Sequence, residues 1–72
     1  MNNYFDAATF GMQDAREYIR RLDVERLRDV TIGELEEDIY TLAGTHELDN
    51  SQREEFKRAF IREVCFAIFY VY

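Results

Sequence analysis

The chain reads as an all-α protein, a compact bundle of three to four short helices, completed by dimerisation. Three observations predict this. Thr31-Ile32-Gly33-Glu34 is a capping-box pattern, and Ile32, Leu35, Ile39 and Leu42 follow it at helical spacing. Phe56, Phe60, Val64, Ala67 and Val71 fall within one narrow stripe of a helical wheel. The 72 residues include no proline and only three glycines, which leaves no flexible linker and makes residues 1–72 a single domain.

The first thirty residues give the least regular pattern. Ala15, Tyr18, Ile19 and Leu22 predict a helix around 12–22, with Glu17 placed to pair with Arg20 and Arg21. The period slips at Asp23 and restarts with Val24, Leu27 and Val30. Either the helix bends there or Asp23 caps a second short piece. Before Gly11, the residues Tyr4, Phe5, Ala8 and Phe10 predict a further short helix or an ordered arm.

The next helix spans 32–43, capped by Thr31 and stopped by Gly44 at C′. Its apolar stripe faces the core, while Glu36, Glu37 and Thr41 face away. Residues 44–50 form a connector anchored by Leu48. Ser51-Gln52-Arg53-Glu54 is a second capping-box pattern, preceded by Asp49 and Asn50, and the last helix is expected to begin there. Arg58 and Arg62 lie opposite its apolar stripe, near Glu55. Helix is expected through about residue 69; aromatic and β-branched content also permits a short strand over 66–72.

The residues 64–72, Val-Cys-Phe-Ala-Ile-Phe-Tyr-Val-Tyr, are all apolar or aromatic. Phe60, Val64, Ala67 and Val71 are accounted for as core. Phe66, Phe69, Tyr70 and Tyr72 cannot all enter the same small core and are the expected oligomer interface, a homodimer seam. The competing arrangement folds Tyr4, Phe5 and Phe10 back over them. A chain this short buries only roughly 60% of its unfolded surface, so a second chain would reinforce it. The run is too short to span a bilayer, which takes about 20 apolar residues, and no membrane partner is expected. No secretory leader is visible, and a single cysteine fits a reducing cytoplasm.

The net charge of −6 is unevenly placed. Residues 31–50 hold Glu34, Glu36, Glu37, Asp38, Glu47 and Asp49 with no Lys or Arg, while the flanking segments nearly balance. Direct binding to nucleic acid is disfavoured, because phosphates would be repelled. Acids in the first turns of a helix are favoured by its dipole, which is one reading of Glu34, Glu37 and Asp38. The other is an acidic face that attracts a partner protein with a basic surface.

No catalytic constellation is visible, and an enzyme is not expected. His46 has no second histidine to make a zinc pair and reads as a solvated loop residue. Cys65, between Val64 and Phe66, reads as a buried, inert thiol. Asp49-Asn50-Ser51 lacks the glycine and bidentate glutamate of a calcium loop. The three glycines are isolated, so no phosphate loop forms, and neither metal nor cofactor is expected. Arg16, Arg20, Arg21, Arg26 and Arg28 alternate with Glu17, Asp23, Glu25 and Asp29, the pattern of an ion-paired solvent face.

Arg26-Leu27-Arg28, Thr31-Ile32, Leu35-Glu36, Ile39, Glu47-Leu48 and Phe56 together resemble the small helical Hha/YmoA nucleoid modulators over roughly the middle half of the chain, with gaps. That resemblance implies a small helical protein that acts by binding a DNA-organising protein. The acidic balance and the aromatic C-terminal run depart from that family. The functional expectation is therefore a small acidic protein-binding module, an inhibitor or modulator of a basic, nucleic-acid-binding protein, as in small phage-encoded inhibitors. A Hha/YmoA-like modulator and a purely structural self-assembling subunit are the alternatives.

Overall fold

The computed structural model describes residues 6–70, apart from the side chains of Val24 and Tyr70. Three helical elements follow in order: α1 (Ala7–Asp29), α2 (Ile32–Gly44) and α3 (Asn50–Tyr70). Gly11 of α1 lies against Phe56 and Ala59 of α3, and Arg16 reaches Glu63, so these two helices run parallel. Tyr18 meets Asp38 and Asp14 meets His46, so α2 runs antiparallel to both. The α1/α3 pair holds most of the packing; α2 leans on α3 and touches α1 sparsely.

The first helix begins earlier than its hydrophobic period suggested. Asp6 is the N-cap, accepting from the Thr9 amide at 2.9 Å and the Thr9 hydroxyl at 2.8 Å. Those bonds hold its carboxyl below the usual range. Ala7, Gly11 and Ala15 recur every fourth residue and are buried, letting the α1 backbone approach α3 closely. Gly11 is therefore a contact residue inside the helix rather than a boundary. Tyr4 and Phe5, expected to join Phe10 in a separate arm, lie outside the described residues; Phe10 and Ala8 belong to α1.

At Asp23 the helix breaks, with φ 56° and ψ 172°. The carboxylate accepts from the amides of Glu25 at 3.0 Å and Arg26 at 3.3 Å, so Asp23 caps the following segment. This conformation is one that glycine adopts freely and other residues hold at a cost of about 1–3 kcal/mol. Leu27 buries beyond the break and fastens the segment to the core.

The α2 capping box forms as its sequence predicts. The Glu34 amide donates to Thr31 Oγ1 at 3.1 Å, and the Thr31 amide donates to Glu34 Oε1 at 3.0 Å. Ile39 and Ala43 are buried and Leu35 and Leu42 half-buried, but Ile32 is 76% exposed. It was expected in the core. It stands at the first residue of a helix that grips α3 through its second half, and nothing closes over it. Gly44 also differs from expectation: it is the last helical residue, Thr45 after it is right-handed, and Glu47 supplies the positive φ of the turn at 56°. Leu48 then anchors the connector in the core.

The cap of α3 is displaced from the predicted position. Asp49 Oδ1 accepts from the Gln52 amide at 2.8 Å, and the Asp49 amide donates to Gln52 Oε1 at 3.0 Å. The box is thus Asp49–Gln52, not Ser51–Glu54. The two are offset by two residues and exclude each other; burial of Leu48 brings Asp49 to the helix entrance. Phe56 and Phe60 are fully buried, with Val64 and Ala67 continuing the stripe. Val71 lies outside the described residues. Helix persists to Tyr70, and no strand occurs among the described residues.

Candidate docking surface

The outward side of α2 is built by helical spacing. Glu34, Glu37, Asp38 and Thr41 fall within roughly 100° of arc, opposite the buried Ile39 and Ala43. All four are exposed. Their carboxylates are not equivalent. Glu34 serves its own helix cap. Asp38 accepts a 2.7 Å hydrogen bond from the Tyr18 hydroxyl. Glu37 has no side-chain partner among the described residues; only its carbonyl is engaged, accepting from the Thr41 hydroxyl at 3.0 Å. On the α3 side, Glu36 lies 3.6 Å from Lys57, and Arg53 packs over the exposed Tyr40 ring at 5.2 Å. Burial of the Tyr18 phenol, then its bond to Asp38, then the charges of Asp38 and Glu34 push its pKa up.

The sparse α1/α2 contact leaves a groove of about 460 Å³ between these helices. Tyr18, Leu22 and Leu42, all half-buried against the core, supply its apolar lining. Asp14, Glu17 and Asp38 supply carboxylates, and Arg21 is the one cation there. Arg21 lies 3.6 Å from Glu17, which also pairs with Arg20 at 3.3 Å, as the sequence spacing anticipated.

His46 departs from its expected solvated state. Its Nε2 lies 2.8 Å from Asp14 Oδ2, and its ring stacks on Phe10 at 4.3 Å and 13° from parallel. It fastens the α2–α3 turn to α1. Cys65 also differs from expectation, being exposed: its position on α3 points away from the Phe56–Phe60–Val64 stripe. About 22 Å of helix separates Asn50, just beyond the His46 turn, from Cys65, so these two reactive side chains do not converge. Among the described residues, no three His, Cys, Asp or Glu side chains gather as metal ligands. No described helix is long and apolar enough to cross a membrane.

Of the four aromatics expected at an oligomer seam, Phe66 and Phe69 have described side chains. Phe66 is 53% exposed and Phe69 71% exposed. The physical cause is length: α2 spans about 20 Å and α3 about 31 Å, so the C-terminal part of α3 has no α2 beside it. Tyr70 closes α3, and Tyr72 lies outside the described residues. The positions that resemble Hha/YmoA proteins have structural roles here: Thr31 caps, Leu35 packs, and Ile39, Leu48 and Phe56 are buried. Comparison with protein-family models, curated proteins and solved structures finds no match to this chain.

Proposed function

We propose that this protein is a non-enzymatic acidic binding module that docks on a partner protein with a basic surface. The observation that carries the reading is the outward α2 face, where Glu34, Glu37 and Asp38 stand exposed on a helix that holds no Lys or Arg. An exposed carboxylate face of this kind raises the encounter rate with a basic partner and disfavours acidic ones. A nucleic-acid-binding protein is the partner class that offers such a surface, and occupation of its phosphate-binding site would make this chain an inhibitor or modulator. That step rests on analogy with small phage-encoded inhibitors and with the Hha/YmoA proteins. The cytoplasm is the compartment this reading assigns.

Affinity capture from the native host followed by titration of the recovered partner tests the reading. Glu37→Lys together with Asp38→Asn should weaken binding about tenfold and flatten its salt dependence. Unchanged affinity and unchanged salt slope would remove the acidic face from the interface.

A second reading is supported by the exposure of Phe66 and Phe69: α3 ends in a homodimer seam, and the protein is a self-assembling subunit. Sedimentation of the wild type beside Phe69→Ser checks it. Concentration-dependent association lost in the variant supports the seam; monomers throughout would eliminate it.

A further inference from the structure

We infer that the α1/α2 groove receives a basic amphipathic helix of the partner, with apolar side chains on Tyr18, Leu22 and Leu42 and cations at Asp14 and Asp38. The inference rests on the acidic-docking reading above and gives it a location. The groove joins the acidic face directly, because Asp38 and Thr41 belong to both. Its chemistry is that of a helix-binding groove: an apolar floor that anchors alternate turns and a charged rim that selects the partner's sign. Charge complementarity chooses the occupant. Of the three carboxylates, Glu17 is paired with Arg20 and Arg21, which leaves Asp14 and Asp38 without a Lys or Arg partner among the described residues. An acidic helix would be repelled, and an uncharged one would leave Asp38 desolvated without a cation.

Two polar ties keep the groove in shape. Asp14 meets His46 toward the α2–α3 turn, and Tyr18 meets Asp38 farther along α1. Each tie leaves carboxylate lone pairs that can accept from Lys or Arg. The groove therefore needs no opening of the core to be occupied.

The probe is a synthetic Lys/Leu peptide with leucines at helical spacing, compared with a Lys/Ser peptide of equal charge. Calorimetry measures affinity, and amide chemical shifts of the isotope-labelled protein locate it. Saturable binding of the Lys/Leu peptide, with shifts at Tyr18, Leu22, Thr41 and Leu42, supports the inference. Thr41→Arg, at an exposed groove position, should then reduce affinity about tenfold. Glu37→Lys, outside the groove lining, should reduce it only about twofold to threefold at low salt.

Equal binding of both peptides, weakened by Glu37→Lys and unchanged by Thr41→Arg, overturns the groove and leaves the acidic-face reading standing. Absence of binding by either peptide, at low salt and in every variant, overturns both. If the free protein self-associates and Thr41→Arg abolishes that association, the occupant is a second copy of this chain and the inference fails.

Discussion

Gly11 rests so close to Phe56 that a Cβ on the glycine would lie 2.5 Å from the Phe56 carbonyl oxygen. It would also stand 3.1 Å from Ala59 Cβ. Two effects oppose each other in Gly11→Ala. Helix propensity favours alanine by about 1 kcal/mol, while overpacking a close backbone contact costs about 1–3 kcal/mol. The blocking atom is backbone and cannot rotate away, so the clash wins. Gly11→Ala should destabilise the protein by about 1–2 kcal/mol, read as a lower urea midpoint.

The His46–Asp14 bond couples the turn after α2 to the first half of α1. Asp14→Ala should cost about 1 kcal/mol, and His46→Ala more, because the stack on Phe10 is lost with the bond. A double-mutant cycle should give a coupling of about 0.5–1.5 kcal/mol. Strict additivity would show that the stacking, not the bond, holds the turn.

Tyr18 makes stability depend on alkaline pH. Its phenol stays protonated in the folded protein beyond the ordinary value of 10.0, because burial and Asp38 disfavour the phenolate. Above that value the unfolded chain loses this proton while the folded chain keeps it. The Tyr18 contribution is therefore whole below pH 10 and declines as pH rises toward the folded pKa. Urea midpoints followed upward from pH 9 should fall less steeply in Tyr18→Phe than in the wild type. Parallel curves would contradict the upward shift that burial and Asp38 impose on the phenol.

The position of the α3 cap is open to a direct comparison. Asp49→Ala should cost about 1 kcal/mol, whereas Ser51→Ala should change stability by less than about 0.5 kcal/mol. Thermal unfolding of the two variants checks this, and the reverse order would restore Ser51 as the cap.

Much of this fold was legible because local rules agree with it. Thr31 and Glu34 form a capping box whatever packs nearby, since both partners lie within one turn. The Phe56, Phe60, Val64 and Ala67 stripe is buried as its period requires. Asp49 and Ser51 show the limit of such rules: both have capping chemistry, and the burial of Leu48 decides between them. The candidate surface was legible in its charges. Glu34, Glu37 and Asp38 are outward because they oppose Ile39 and Ala43.

By itself, the sequence determined an all-α chain, the cap at Thr31, the apolar face of α3 and an acidic middle segment. All of these depend on interactions within a few residues or on side-chain periodicity. Only the tertiary structure decided that Gly11 is a contact point, that His46 is bonded and stacked, that Ile32 and Cys65 are exposed, and that α1 and α2 leave a groove. Each of these depends on how helices of unequal length are placed against one another. Placement arises from contacts far apart in the chain, and no local spacing encodes it.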